Sequence, residues 1–172
     1  MKKTFIILAI IILILCINKN EQVIIPKDSI RFRIIANSNN IEDQSLKRKI
    51  VNSLEEEISD IESSNDINEA RKKINNNIVK IEEKINKELE ESNYNKNITI
   101  KYGNNYFPQK EYKGIKYEEG KYESLVITIG EGVGDNFWCV LFPPLCKIET
   151  TNKNVEYTSL VKEIINKYTN KS

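Results

Sequence analysis

Near Asn95 the spacing of apolar residues changes from a helical to a strand period, and this change limits the possible folds more than any other feature. From Ile41 to Glu91, apolar residues recur three and four positions apart, as on one face of an amphipathic helix. After Asn95 they recur at every second position, which is typical of strands. The sequence therefore predicts an α+β domain, with a helical hairpin packed on a small, mainly antiparallel β-sheet.

The helical half is expected to contain two helices. The first begins at Ile41 and ends near Ile61. The second follows Asp66, which together with Glu69 has the pattern of a capping box. Asn75–Asn77 are poor helix formers and are expected on the outer side of this helix, as its weakest turn.

The strands are expected where apolar and polar residues alternate. Their ranges are Ser29–Ala36, Asn97–Tyr102, Tyr106–Tyr112, Ile115–Tyr117, Tyr122–Ile129 and Phe137–Phe142. In the first strand, Ile30, Phe32 and Ile34 point to one side of the sheet, and the residues between them point to the other. Lys113-Gly114 is the expected turn of a hairpin.

Four segments are expected along the chain. Residues 1–20 form a signal peptide or signal anchor, and residues 21–28 form a linker. The exported α+β domain is expected to span residues 29–150. An amphipathic helix occupies the C-terminal residues 151–172, because their apolar residues fall on one helical face.

The prediction of export depends on the N-terminus. Lys2 and Lys3 precede an unbroken apolar run over residues 5–17, which is typical of a secretory signal that enters the membrane. No small-x-small cleavage pattern follows, which favours an uncleaved anchor. Cleavage between Asn18 and Gln22 is the alternative. A buried core helix is a further alternative, but core helices are seldom apolar on every face.

Composition excludes several classes of function. The chain has 26 basic and 25 acidic residues and a net charge of +1, so no broad basic field is available for nucleic acid. It contains no histidine, which removes Ser-His-Asp and Cys-His catalytic pairs and histidine-ligated zinc. We expect no cofactor and no metal.

The segment from Gly130 to Cys146 concentrates the unusual residues of the chain. It holds three of the six glycines, the only tryptophan and two of the three cysteines. Gly130, Gly132 and Gly134 lack the spacing of a dinucleotide fingerprint, and no helix follows them. We interpret these glycines as a mobile loop, or as positions with positive φ.

Cys139 and Cys146 lie on either side of Pro143-Pro144, and two interpretations are open. In an exported domain they are able to form a disulfide, and the alternative is a pair of buried thiols. A nucleophilic Cys139 would lack an imidazole base. Asp43 and Asp135 are possible acid–base groups, but no paired pattern singles them out.

Adjacent aromatic residues predict a contact surface. Side chains alternate along a strand, so Phe137 and Trp138 point to opposite faces and one of them should be less buried. Together with Phe142 and the proline pair, this predicts an apolar protrusion of the kind that anchors protein interfaces. The predicted partner-binding residues are Asn136, Phe137, Trp138, Phe142, Pro143 and Pro144.

Two blocks of the sequence match one known family. The matching residues are Arg31-Phe32, Ile35–Ser38, Glu42–Gln44, Leu46-Lys47, Phe107-Pro108, Tyr112, Gly114, Gly120, Tyr122, Leu125, Ile129-Gly130, Gly132, Gly134, Asn136, Trp138–Val140 and Phe142–Cys146. In this order they resemble the stage II sporulation protein R family. The resemblance has four departures. Arg33 stands where the family has histidine, Val51-Asn52 where it has an Arg-Asp pair, Val126 where it has arginine, and Phe137 where it has tryptophan.

The resemblance implies a developmental signal and no enzyme. Family members are made in the forespore and exported across its membrane into the space between the two septal membranes. There they activate a membrane-embedded aspartic protease of the mother cell, which processes pro-sigma-E. The main rival function is an extracytoplasmic thiol-dependent hydrolase or cell-wall enzyme centred on Cys139. A structural septum protein that assembles through the helical hairpin is a third.

Overall fold

The computed structural model describes residues 23–112, 115–146 and 157–169. Helices and strands follow the order predicted from the change in apolar spacing. The strands are β1 (Val23–Ile24), β2 (Ile30–Ile35), β3 (Ile98–Phe107), β4 (Lys110–Tyr112), β5 (Ile115–Tyr117), β6 (Gly120–Ile129) and β7 (Asn136–Phe142). The helices are α1 (Ile41–Ser53), α2 (Glu55–Glu62), α3 (Ile67–Glu91) and α4 (Tyr157–Thr169). The predicted α+β class and C-terminal helix are confirmed.

The strands form two mixed sheets in place of the single sheet expected. Three of the five strand pairings within the described residues are antiparallel, as predicted, and two are parallel. The larger sheet has the order β3-β6-β2-β7, in which β2 runs parallel to β6 and antiparallel to β7. The smaller sheet has the order β1-β5-β4, with β1 parallel to β5. Because β2 lies between β6 and β7, these two consecutive strands do not pair with each other. Strands β4 and β5 pair antiparallel, as the predicted hairpin requires, and its expected turn, Lys113-Gly114, lies outside the described residues.

Two hydrophobic cores cover the two faces of the larger sheet. One face packs on α1–α3 through the side of β2 that carries Ile30, Phe32 and Ile34, as the alternation predicted. The opposite face packs on the smaller sheet and α4, where Val161 is fully buried. Both faces of β7 are therefore covered, because its alternating side chains enter different cores.

The helical hairpin forms, with three differences from prediction. The first helix is interrupted at Leu54, so α1 and α2 are separate helices. Asp66 caps α3 as predicted, but Glu69 accepts a hydrogen bond from the Asn65 amide in place of the Asp66 amide. Asn77 is buried, not outward, because its amide donates to the Asp60 carboxylate at 2.8 Å and to the Lys73 carbonyl at 3.0 Å.

The predicted linker is partly a structural element. Val23 and Ile24 form β1, which pairs with β5, and Ile25 is buried in the second core. The predicted signal or anchor segment, residues 1–20, lies outside the described residues. Among the helices that the structure describes, none combines the length and apolarity that a membrane crossing requires.

Candidate functional site

The two sequence blocks that carry the family resemblance meet at one end of the larger sheet. Strands β6 and β2 are parallel, so both end at this edge, and β7 begins there. The connection from β6 to β7, residues 130–135, must therefore pass over the chain that leaves β2, residues 36–40. We call these two segments together the loop junction.

Backbone hydrogen bonds hold the two segments of the loop junction together. The Gly134 amide donates to the Ala36 carbonyl at 2.9 Å, and the Val133 amide donates to the Asn37 carbonyl at 3.2 Å. The Asn37 side chain also accepts from the Glu131 amide at 3.0 Å. The predicted mobility of the glycine loop is thus not what the structure shows, because its backbone is tied to a neighbouring segment.

The close approach of the two segments explains why glycine occupies these positions of the loop. Gly130 and Gly132 have φ values of +56° and +64°, as the sequence interpretation allowed. A Cβ at Gly134 would lie 2.3 Å from the Ser38 carbonyl oxygen, which belongs to the backbone and has little freedom to move. A Cβ at Gly130 would lie 2.2 Å from the Asn37 side-chain oxygen. The spacing of the glycines therefore permits close approach of two backbones.

A buried carboxylate, Asp43, organises the junction from below. Its side chain is 3% exposed. It accepts hydrogen bonds from Asn37 Nδ2 at 2.8 Å, from Ser38 Oγ at 2.6 Å and from the Tyr94 hydroxyl. Burial opposes ionisation, but these donors outweigh it and lower the pKa of Asp43 below its usual value. Burial and the same carboxylate raise the pKa of Tyr94. Asp43 is therefore an anion that accepts a hydrogen bond from a neutral tyrosine.

Lys47 completes this network on α1. Its ammonium donates to Gln44 Oε1 at 2.6 Å and to the Asp135 carbonyl at 2.7 Å, so it binds the far end of the glycine loop. Burial lowers the pKa of Lys47, and the charge of Asp135 partly opposes this. Asn39 accepts from the Asp135 amide at 2.6 Å. The Asp43 side chain and the Asp135 backbone therefore hold the loops in place.

Two apolar side chains stand out on this otherwise polar end of the domain. Ile41, directly after the Asn40 cap of α1, is 84% exposed, and Val133 at the tip of the glycine loop is 71% exposed. These are the highest exposures among the large hydrophobic residues of the described chain. The network beneath them fixes the backbone from which they project.

The predicted partner-binding residues do not form one protrusion. Phe137 packs on the helical face, with its ring edge-on to Phe32 at 6.2 Å. Trp138 lies in the opposite core, 5.1 Å from the Phe107 ring centroid. With its amide oriented to satisfy both neighbours, Asn136 accepts from Trp138 Nε1 at 3.3 Å and donates to the Gly134 carbonyl at 2.9 Å.

Phe142 and Pro143 line a pocket at the other end of β7. The pocket has a volume of about 250 Å³. Its lining residues are Pro26, Asp28, Asn65, Asp66, Ile67, Phe142, Pro143, Tyr168 and Thr169, and we call it the Phe142 pocket. The Phe142–Pro143 peptide is cis, and the Phe142 ring packs edge-on to Tyr168 at 5.0 Å. Pro144 is half-buried beside it.

Two arginine side chains of β2, Arg31 and Arg33, lie on the side of the sheet that faces the second core. The sequence analysis assigned them to this side only because side chains alternate along a strand. Arg31 is 1% exposed, with its guanidinium carbon 3.3 Å from the Tyr122 ring centroid. Arg33 lies over Phe107 at 4.6 Å. Nε and Nη2 of Arg31 have no hydrogen-bond partner, and burial lowers the pKa of this group. Stacking on aromatic faces is therefore the main contact of the Arg31 guanidinium.

Cys139 and Cys146 are joined by a disulfide in the structure. Both residues are buried, and the Cys146 amide donates to Glu62 Oε1 on α2 at 2.6 Å. The disulfide and this hydrogen bond together attach the end of β7 to the helical layer. A disulfide sulfur is no free nucleophile, so this geometry does not favour the hydrolase centred on Cys139.

We expect this disulfide to form when the protein is placed in an oxidising compartment. The intact mass of the protein without reductant should lie about 2 Da below that of the reduced chain, because two hydrogens are lost. Iodoacetamide should then modify Cys16 at most, and all three cysteines only after reduction and unfolding. Alkylation of Cys139 and Cys146 in unreduced, unfolded protein would contradict the disulfide.

The described residues contain no group of three or more Cys, Asp or Glu side chains arranged to hold a metal ion. The residues that the sequence analysis missed are Tyr94 and the polar pair Asn37 and Ser38. Asn37 and Ser38 could have been identified from the sequence, because polar residues that directly follow a buried strand commonly form hydrogen bonds to a neighbouring loop. Tyr94, distant in sequence from Asp43, carried no such signal.

Fold and site together define a mixed-sheet α+β protein, held by a disulfide and organised around a rigid loop junction. The family model described as stage II sporulation protein R matches residues 26–152, which include both segments of the junction. The chain is 37% identical over 155 residues to the Stage II sporulation protein R of Bacillus subtilis (strain 168), a match that covers 90% of this chain and 69% of that protein. The chain therefore belongs to the stage II sporulation protein R family, and the resemblance found in the sequence is confirmed. No solved structure matches it.

Proposed function

We propose that this protein is an exported sporulation signal, made in the forespore, that activates the septal aspartic protease which processes pro-sigma-E. The observation that carries the proposal is the family match over residues 26–152, which covers both segments of the loop junction. The family description and the relative's name give a sporulation protein and name no enzymatic activity. In this proposal the apolar residues 5–17 direct export and contact the membrane, and no nucleic acid or cofactor takes part.

The geometry supports a binding role over a catalytic one. The buried charges beneath the loop junction, on Asp43 and Lys47, are both engaged by hydrogen bonds within the domain. Groups engaged in this way hold backbone in place and are poorly available for proton transfer. A rigid surface with exposed Ile41 and Val133 is suited to recognition, because little conformational entropy is lost when it binds.

The proposal is tested by co-expression with the protease and pro-sigma-E in a non-sporulating host. We expect pro-sigma-E processing with the full chain, and complete loss when residues 2–20 are deleted. The apolar run behind Lys2 and Lys3 is the part that enters the export machinery, so the deletion should leave the domain in the cytoplasm. Cell fractionation and immunoblotting of pro-sigma-E measure both effects.

A heterologous signal peptide in place of residues 1–20 is the matched control. It should restore export, and with it processing, if the domain from residue 21 onward is the signal. Full processing by the deletion variant in the cytoplasm would refute the need for export. Absence of processing with the exported, folded wild-type chain would overturn the proposed function itself.

A further inference from the structure

The Phe142 pocket has the size and composition of a site for a protein side chain. Its volume of about 250 Å³ is below the roughly 300–1,000 Å³ of typical small-molecule sites. Five of its lining residues are apolar or aromatic: Pro26, Ile67, Phe142, Pro143 and Tyr168. The site therefore suits one long side chain from a macromolecular partner better than a free cofactor.

The charge of the lining selects the kind of side chain. Asp28 and Asp66 are both exposed residues with carboxylates, and among the residues that the structure describes no lysine or arginine lines the pocket. Lys167 of α4 lies over the Tyr168 ring, with its nitrogen 5.6 Å from the centroid, and is not one of the lining residues. A lining that combines two carboxylates with the rings of Phe142 and Tyr168 is complementary to a guanidinium, which pairs with carboxylates and stacks on Tyr and Phe.

The pocket walls come from three separate elements. Phe142 and Pro143 end β7, Asp66 caps the N-terminus of α3, and Tyr168 lies near the end of α4. The disulfide at Cys139 and the hydrogen bond from Cys146 to Glu62 fix the β7 wall against the helical layer. These two contacts lie outside the pocket, so the β7 wall is held in place before a ligand binds.

We propose that the Phe142 pocket binds an arginine side chain on an extended segment of the partner protein. This inference rests on the proposed function and adds the contact surface to it. It retains Phe142 and Pro143 from the predicted partner-binding set. It assigns Asn136, Phe137 and Trp138 to the support of the domain, because their side chains pack or bond within it.

The double variant Asp28→Asn, Asp66→Asn tests the proposal in the full, exported chain. Asparagine is a good helix cap, so α3 keeps the side-chain oxygen that accepts from the Asn68 and Glu69 amides. The matched control is Glu82→Gln, Glu83→Gln, which removes two charges from the exposed face of the same helix. We expect pro-sigma-E processing at limiting expression to fall about tenfold in the first variant and to stay unchanged in the control.

A second measurement identifies the occupant directly. A photo-crosslinking benzoylphenylalanine at Thr169, which lines the pocket, should form an adduct with the protease, and one at Glu83 should not. Mass spectrometry should place the adduct beside an arginine. The Asp28→Asn, Asp66→Asn exchange should abolish this adduct while the protein level and the disulfide remain normal.

The outcomes separate the two proposals. If the wild-type chain triggers processing and the pocket variant does so equally well, the pocket inference is wrong and the signalling function stands. If Thr169 crosslinks to a second copy of this chain or to lipid, the assigned occupant is also wrong. If exported wild-type protein triggers no processing and forms no adduct, the proposed function fails and the pocket inference fails with it.

Discussion

Replacing Asp43 by alanine is expected to lower the free energy of unfolding by about 3 kcal/mol. The change leaves the Asn37 amide and the hydroxyls of Ser38 and Tyr94 without their common acceptor. Each stranded donor in a partly buried site costs on the order of 1 kcal/mol or more. Urea unfolding followed by tryptophan fluorescence measures the loss, because Trp138 is buried in the native domain.

The neighbouring Glu42→Ala variant is the control for this prediction. Glu42 is exposed in the first turn of α1, so its loss should cost about 0.5 kcal/mol through the helix dipole alone. Equal effects of the two substitutions would show that the Asp43 network contributes no more stability than a surface carboxylate.

The pH dependence of stability follows from the lowered pKa of Asp43. A carboxyl group whose folded pKa lies below its unfolded value of about 3.9 stabilises the fold above that value. This contribution is lost as the pH falls through the folded pKa. Asp43→Asn should therefore flatten the acid side of the stability curve below about pH 4, at the same time as it lowers stability at neutral pH.

Replacing Arg31 by alanine is expected to cost about 3 kcal/mol, which is the second large effect. The side chain fills the space between the rings of Phe107, Tyr117 and Tyr122, and its removal leaves a cavity there. Arg31→Met should cost less than about 1.5 kcal/mol, because it keeps most of the volume and removes a buried charge whose Nε and Nη2 lack hydrogen bonds.

Thermal unfolding of the two Arg31 variants distinguishes packing from charge. The exposed Arg48→Ala serves as the control and should stay within about 0.5 kcal/mol of the wild type. If Arg31→Met is as unstable as Arg31→Ala, the guanidinium itself holds the smaller sheet against the larger one, and the packing explanation is wrong.

Elements that depend on local sequence were predictable. The two helical stripes, the Asp66 cap and the inward face of β2 follow from spacing and capping rules that involve only nearby residues. The interruption at Leu54 was not predictable in this way, because the apolar stripe continues through it. Tertiary packing decides such a break.

The position of β2 between β6 and β7 was the main feature that the sequence concealed. Two consecutive strands joined by a glycine-rich loop normally form a hairpin. Here the loop crosses β2 instead, and the glycines serve the crossing. Strand alternation correctly placed Phe137 and Trp138 on opposite faces, with Phe137 the less buried of the two. It did not show that both faces of β7 are covered, so Phe137 packs against a core instead of protruding.

The central place of β2 has a consequence for the order in which the molecule becomes functional. Phe32 pairs with Cys139, and Arg31 pairs with Ser124. Strand β2, the first long strand of the domain, therefore pairs with strands that lie about a hundred residues further along the chain. A chain that is synthesised from its N-terminus exposes β2 early, but it has no complete larger sheet until Phe142 has emerged. A chain that ends before Phe142 therefore lacks the edge strand β7 that β2 needs, and it also lacks the Phe142 pocket.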